Sequence, residues 1–265
     1  MSFPATPDNV LLLALPLIAL ILTLVYVLRV RAGRVPSLRP LPGIARLRTL
    51  FSDMAESGRP LHIATGTGQL NTTGATAETL ASLLIAQRIA EEATQRGGTV
   101  AATSGDIVAH AALRGTFHQA YRQAGFASDY QPTSVQMVAQ TTPTAYAAGV
   151  AARYAVEPLA GSVVAGNYGS EALLIIEEGV VRHLPQIAAT TSLAALPVVA
   201  LSADATLIGE ELFAAEAYLS TTQPPKVRLL TQDGLRWTLL VLLVVGLVWQ
   251  LLALTQLVPG LPSLG

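Results

Sequence analysis

Two long apolar stretches bracket the chain. The first runs from Val10 to Leu28 and the second from Trp237 to Leu257, and neither contains a charged residue. At about 1.5 Å of rise per residue, each is long enough as a helix to cross the roughly 30 Å apolar core of a bilayer. We therefore predict transmembrane helices at 10–30 and 236–257, with short external segments at 1–9 and 258–265.

Basic residues flank only the inner side of each stretch. Because cytoplasmic loops retain Lys and Arg, this asymmetry predicts a cytoplasmic central domain and two external termini. The charge order is the reverse of that in a cleaved signal peptide, so we expect the first helix to be retained as an anchor. Scarce Met, Phe and Trp beside abundant Ala suggest bacterial coding bias, and so a bacterial plasma membrane. The flanking bases are Arg29, Arg31, Arg34, Arg39, Arg46, Arg48, Lys226, Arg228 and Arg236.

Neither apolar stretch contains Asp, Glu, Lys, Arg or His. Ion and proton paths through membranes normally need such groups. The helices are therefore expected to anchor the protein, and a transporter or channel is not indicated.

The central region alternates between short apolar runs and amphipathic segments. We predict strands at Leu61–Ala64, Thr99–Thr103, Ser134–Ala139, Gly161–Ala165 and Val198–Leu201. We predict helices at Ile44–Ser57, Thr76–Gln95, Asp106–Gln123, Pro143–Tyr154, Ser170–Glu178 and Thr206–Leu219. This order is typical of a parallel sheet with helices on both faces, so the predicted fold is a Rossmann-like α/β domain at 59–222. A basic, Pro-rich linker with one amphipathic helix (31–58) precedes it, and a linker (223–235) follows.

Composition limits the chemistry of this domain. The chain has no cysteine and only one lysine, Lys226, which argues against thiolate metal sites, Cys nucleophiles and P-loop lysine chemistry. Only about 14% of residues 51–234 are charged, against roughly 25% in typical soluble domains. Interface cores lose charged residues, so we expect a homo-oligomer; a surface rich in Ser, Thr and Gln is the alternative.

The acidic balance of the domain also bears on its partners. Residues 51–234 contain 16 acidic and 9 basic side chains, a net charge of −7. Such a domain is a poor nucleic-acid binder, whereas the basic linker suits the anionic head groups of the lipid bilayer.

The loops that follow the predicted strands hold the candidate ligand contacts. Glycines let a backbone approach a ligand, and parallel sheets bind ligands at the carboxyl ends of their strands. The glycine spacing matches neither Gly-x-Gly-x-x-Gly nor a P-loop, so hydroxyl-rich turns and helix caps are the simpler interpretation. No histidine spacing indicates a metal, and no cofactor is predicted. The candidate residues are Thr65, Gly66, Gly68, Asn71, Ser104, Asn167, Tyr168 and Glu171.

Three segments resemble a known family. They are Thr65-Gly66-Thr67-Gly68, Gly166-Asn167-Tyr168-Gly169-Ser170-Glu171 and Ile208-Gly209-Glu210-Glu211-Leu212-Phe213-Ala214-Ala215. These resemble an uncharacterised domain-of-unknown-function family of bacterial membrane proteins with two helices, associated with Chloroflexota and similar bacteria. The resemblance implies a membrane location, and its motifs carry no assigned chemistry.

Three functional hypotheses result. The first is a membrane-anchored scaffold that self-assembles into a ring or array of like subunits, without enzymatic activity. The second is a small-molecule or nucleotide-phosphate binder, or an enzyme, that uses the glycine loops. The third is an accessory subunit of a larger membrane complex, for which the topology is the sole support.

Overall fold

A computed structural model describes residues 7–33, 38–70, 74–140 and 142–254, with side chains at 16–33, 38–70, 74–140 and 142–252. The chain divides into two compact units. One consists of Met1–Ser37 together with Thr221–Gly265, and the other is Leu38–Ser220. In chain order the elements are α1 (Pro7–Arg31), α2 (Pro42–Ser57), β1 (Leu61–Ala64), α3 (Thr76–Gln95), β2 (Val100–Ser104), α4 (Ile107–Gln123), two 3₁₀ turns (Ala127–Asp129 and Pro132–Ser134), β3 (Val135–Met137), α5 (Pro143–Val156), β4 (Gly161–Ala165), α6 (Ala172–Val181), β5 (Gln186–Thr190), α7 (Leu196–Ser202), β6 (Ala205–Ile208), α8 (Glu210–Leu219) and α9 (Gln223–Leu254).

The central unit is built on a six-stranded parallel sheet. Its strand order is β3-β2-β1-β4-β5-β6. The chain moves outward from β1 to β3, returns to the middle at β4, and moves outward again to β6. The order therefore reverses between β1 and β4, and this reversal is the switch point of the sheet. The α/β class with a parallel sheet is confirmed.

Alternate residues of each strand face opposite layers of helices. Leu61 and Ile63 of β1 pack with α2, α3, α4 and α8, while Ala64 packs with α5, α6 and α7. All residues of β1, β2, β4 and β5 are buried, as expected for a parallel sheet covered on both faces. The sheet thus separates two apolar cores.

Helix α2 crosses the sheet beneath its amino-terminal edge. A Cβ on Gly43 would lie 2.7 Å from the Thr206 carbonyl of β6, and a Cβ on Gly161 at the start of β4 would lie 2.8 Å from Leu50. Met54, near the end of α2, contacts Gly98 just before β2. The apolar face predicted for this helix therefore packs on the domain.

The carboxyl-terminal half of the domain differs from the sequence prediction. Val198–Leu201, predicted as a strand, lies inside helix α7, where Pro197 occupies the first turn. The prediction missed β5 and β6, and the helix predicted at Thr206–Leu219 is β6 followed by α8. Strand β5 contains two adjacent alanines, and three of the four residues of β6 are only half-buried. Neither segment therefore shows the apolar pattern expected of a strand.

A side-chain cap explains where helix α4 begins. Asp106 caps α4, because its carboxylate accepts hydrogen bonds from the Val108 and Ala109 amides at 3.1 and 2.9 Å. The N-cap position of α3 is Ala75, which makes no side-chain hydrogen bond.

The other unit consists of α1 and α9. Gln223–Leu252 is the one helix among the described residues whose length and composition would let it cross a membrane. Segment 223–235, expected as a linker, forms the beginning of this helix, since prolines such as Pro224 are tolerated in a first turn. Helix α1 contains the first apolar stretch, and its role as a second span stays a prediction.

Candidate functional site at the switch point

The loops that follow β1 and β4 meet at the switch point. Gly66, with a φ of +78°, lies directly after β1. A Cβ at this position would be 2.8 Å from the Asn167 carbonyl and 3.3 Å from the Tyr168 ring. Glycine is therefore required at position 66 by both its backbone conformation and its neighbours.

The loop after β2 joins the other two. The Gly105 amide donates to the Gly66 carbonyl at 2.9 Å. A Cβ on Gly105 would lie 2.5 Å from Thr67, so this loop also lies directly against the loop after β1. Three strand ends are thus packed together, and their glycines serve this packing.

A chain of buried polar side chains lies beneath these loops, on the α5 face of the sheet. The His62 ring lies between two hydroxyl groups, with its Nδ1 3.3 Å from Tyr154 and its Nε2 3.2 Å from Thr103. The Tyr154 hydroxyl also bonds Ser162. At the other end, the Thr103 hydroxyl lies 3.1 Å from the Tyr146 hydroxyl.

The Tyr146 hydroxyl links this chain to the loop above it. It donates to the Thr103 carbonyl at 3.1 Å and accepts from the Gly66 amide at 3.1 Å. The second lone pair of the Tyr146 oxygen can then accept from the Thr103 hydroxyl. The Thr103 hydroxyl oxygen in turn accepts from His62 Nε2. Satisfying every bond therefore assigns the proton of His62 to Nε2 and makes Tyr154 the donor to Nδ1.

Burial sets the protonation states of the chain. Desolvation, reinforced by the nearby Arg153 cation, holds the pKa of His62 well below 6.5. Desolvation raises the pKa values of Tyr146 and Tyr154 above 10.0. At neutral pH these hydrogen-bonded side chains are uncharged, and each tyrosine keeps the proton that its hydrogen bond requires.

A carboxylate occupies the start of helix α3. Glu78 is 6% exposed, and its side chain accepts a hydrogen bond from the Asn167 amide of the β4 loop. Burial raises the pKa of Glu78 above 4.5, while the bond from Asn167 acts in the opposite direction. In nucleotide-binding sheets the corresponding helix start receives a phosphate. Here an acidic group lies in that position.

The structure brings seven of the eight candidate residues to this region, and Asn71 lies outside the described residues. Thr65 donates to the Thr103 carbonyl at 3.1 Å, and Ser104 bonds the backbone of Asp106. Glu171 accepts from the Gly169 amide at 2.7 Å. Thr65 thus bonds the neighbouring strand, while the side chains of Ser104 and Glu171 stabilise their own loops.

Gly68 and Tyr168 complete the set. A Cβ on Gly68 would overlap the Thr79 hydroxyl, so this glycine lets the loop pack on α3. The Tyr168 hydroxyl is buried without a hydrogen-bond partner among the described residues.

Sequence reasoning missed four residues of the region. Glu78, Tyr146, His62 and Thr103 all contact or support the loops, and none was selected. Glu78 carried a usable signal, since a carboxylate in the first turn of a helix faces the preceding loop. No sequence signal pointed to Tyr146, because nothing in the sequence indicates that α5 packs against β1.

The six connections at the carboxyl edge contain no Lys, Arg or His. Arg39 reaches the start of α8 at Glu211, on the β6 side of the sheet. In the described part of the chain, no group of three His, Asp or Glu side chains could hold a metal ion. With Glu78 at the helix start, the switch point favours neutral or cationic groups over phosphates.

The buried histidine predicts an acid-sensitive fold. The unfolded chain takes up a proton at His62 below a pH of about 6.5, whereas the native state does not, so stability falls as pH drops below that value. We expect His62→Gln to remove this contribution, which has a limiting slope of about 1.4 kcal/mol per pH unit. Urea unfolding of the full chain in mild detergent between about pH 5 and 7.5 measures the slope.

Thr103→Val is the matched control. It breaks the same chain of hydrogen bonds but keeps a titrating histidine, so it lowers stability at all pH values and retains the acid slope. Equal slopes for His62→Gln and the unaltered protein would show that His62 titrates normally in the native state.

Comparison with known proteins supports the coarser part of the resemblance seen in the sequence, a family of unknown function. No curated protein and no solved structure matches the chain. A family model matches residues 3–259, which is nearly the whole chain. The match includes α1, the central sheet and α9, so the family unit contains both units of the fold. This chain belongs to the family described as a domain of unknown function, DUF6754.

Proposed function

We propose that this protein is a membrane-anchored α/β domain that self-assembles into a ring or array of like subunits. The carboxyl edge of its sheet is the proposed contact surface. Helices α1 and α9 are the proposed spans, in a bacterial plasma membrane, with the domain in the cytoplasm and both termini outside. The arginines that follow the first apolar stretch support this orientation.

The observation that carries the proposal is an apolar carboxyl edge. Large apolar side chains lie in or beside the connections at this end of the strands, and they are 43% to 83% exposed. Exposed apolar surface of this kind is typical of interaction sites. The residues are Leu80, Ile107, Val108, Met137, Leu173, Leu174 and Leu193.

The closed switch point favours a protein partner over a small ligand. Most polar groups of the three loops are hydrogen-bonded to one another or to the chain beneath them, as the Gly66 amide is to Tyr146. The edge presents exposed apolar side chains among polar loop residues, and its connections contain acidic residues such as Glu171 but no basic ones. A partner surface that is apolar and carries cations would complement it.

A second copy of this chain offers such a surface at the amino edge of its sheet. Arg59 and Arg122 lie there, together with exposed Phe126, Val156 and Val181. Contact between the carboxyl edge of one copy and the amino edge of the next is head to tail, and such contacts close into rings or continue as arrays. Confinement to one membrane raises the effective concentration of the copies.

Acidic substitutions at the carboxyl edge test the proposal. Leu174→Asp and Val108→Asp place a charge among the apolar side chains, yet each acid lies in a first helical turn, where it is compatible with folding. We expect the unaltered full chain to form oligomers in mild detergent. Each variant should weaken association by about tenfold or more, which corresponds to roughly 1.4 kcal/mol. Native mass spectrometry across protein concentrations measures this.

Gln119→Asp is the matched control, because it adds the same charge to an exposed position in the middle of α4. It should leave the oligomer intact, and circular dichroism checks that all three variants fold. A clean monomer at every concentration would contradict self-assembly. A defined complex with other proteins in native membranes would instead favour an accessory subunit.

A small-molecule binder is the second candidate, favoured by one observation. The Tyr168 hydroxyl is buried at the switch point without a hydrogen-bond partner in the described residues. Buried polar groups without partners are uncommon, and a bound ligand is one explanation. The ligand would be neutral or cationic, because Glu78 lies beside it and the connections lack basic residues.

Thermal unfolding with adenosine, AMP and inorganic phosphate tests this candidate. A ligand at 100 times its Kd stabilises the native state by about 2.7 kcal/mol, and we expect the neutral nucleoside to act more strongly than the two anions. Gly68→Val and Asn167→Ala should abolish the effect, while Ser170→Ala, an exposed change in the same loop, should not. No shift with any probe would remove the basis for a nucleoside ligand at the switch point.

A further inference from the structure

A separate cavity of about 340 Å³ lies at the amino edge of the sheet. Pro60 and Thr99, which directly precede β1 and β2, form part of its wall. Strands β2 and β3, the end of α4, the segment with the two 3₁₀ turns and the end of α5 form the rest. The cavity is at the opposite end of the strands from the switch point.

A buried arginine lines this cavity. The Arg153 side chain is 10% exposed, and its Nε donates to Glu157 at 2.6 Å. Its Nη1 is buried and has no hydrogen-bond partner among the described residues. A guanidinium stays charged in proteins, so these N–H groups need an acceptor. Leaving them without one destabilises the native state.

A second unpaired donor lies in the same cavity. The Ser134 hydroxyl is also buried without a partner in the described part of the chain. An arginine and a serine that lack acceptors in one cavity indicate an absent group with at least two acceptor atoms. Carboxylates and phosphates both fit that description, and arginine binds either in a bidentate manner.

The remaining wall distinguishes between these two anions. Asp129 lines the cavity and would repel a doubly charged phosphate more than a singly charged carboxylate. Thr133 and Gln136 add polar atoms. The volume lies near the lower end of the range for small-molecule pockets.

We propose that this cavity binds a small monocarboxylate. Its carboxylate accepts hydrogen bonds from Arg153 Nη1 and Ser134 Oγ, and its hydroxyl or amino group faces Asp129 and Gln136. Binding of this kind would give the buried Nη1 of Arg153 the hydrogen-bond acceptor that it lacks among the described residues.

Calorimetric titration of the full chain in mild detergent tests the site, with lactate, L-serine and inorganic phosphate as probes. We expect lactate or L-serine to bind and phosphate to bind more weakly. Arg153→Met should weaken carboxylate binding by about tenfold or more. Arg182→Met is the matched control, because Arg182 pairs through Nε with Glu178 at 2.9 Å in the same way but is about half exposed and lies outside this cavity.

Ser134→Leu provides a second variant, because it fills the cavity while leaving Arg153 and its ion pair in place. It should abolish binding even if Arg153→Met fails to fold. Absence of binding by both carboxylates would overturn the proposal and leave a cavity filled by water. Tighter binding of phosphate than of carboxylate would overturn the assigned ligand class, as would unchanged affinity in Ser134→Leu.

Discussion

The arrangement of the switch point depends on one buried hydroxyl group. Tyr146, on α5, donates to the carbonyl of Thr103 in β2 and accepts from the amide of Gly66 in the β1 loop. It thereby connects strand β2 to the loop after β1 through a side chain from a distant part of the sequence. Opening the loop would leave several buried polar groups without hydrogen-bond partners. Each such group costs about 1–3 kcal/mol of free energy. The loops are therefore held closed from beneath.

This closure changes how the carboxyl edge can act. In nucleotide-binding sheets, glycines at the switch point leave space for a phosphate. Here the space beside Gly66 is taken by Asn167 and Tyr168, and the start of α3 is taken by Glu78. The exposed surface at this edge includes apolar side chains, and its connections contain no basic residues. In the proposed assembly this edge is a contact surface, at the position where nucleotide-binding sheets form a pocket. The Arg153 Nη1, which has no hydrogen-bond partner among the described residues, lies at the other end of the strands.

The sequence was informative where apolar runs were strong and turns were marked by glycine or proline. Strand Leu61–Ala64 and helix Thr76–Gln95 have the predicted bounds, and the loops at 65–70 and 166–171 are adjacent because the strand order reverses between them. Strands β5 and β6 were missed, since alanine-rich and half-buried segments lack a clear period. The network around His62 could not be anticipated, because it depends on which face of β1 meets α5. Side-chain chemistry across layers follows from packing, which a local pattern does not contain.

Amide hydrogen exchange at Gly66 tests the central claim most directly, namely that buried hydrogen bonds hold the switch point closed. The measurement requires single-residue resolution on the full chain in detergent. The account predicts that the Gly66 amide exchanges about as slowly as that of Thr65, which is bonded to the Thr103 carbonyl of β2 at 3.0 Å. Exchange as fast as that of the exposed Ser170 in the β4 loop would contradict it, because the loop would then open without unfolding the sheet.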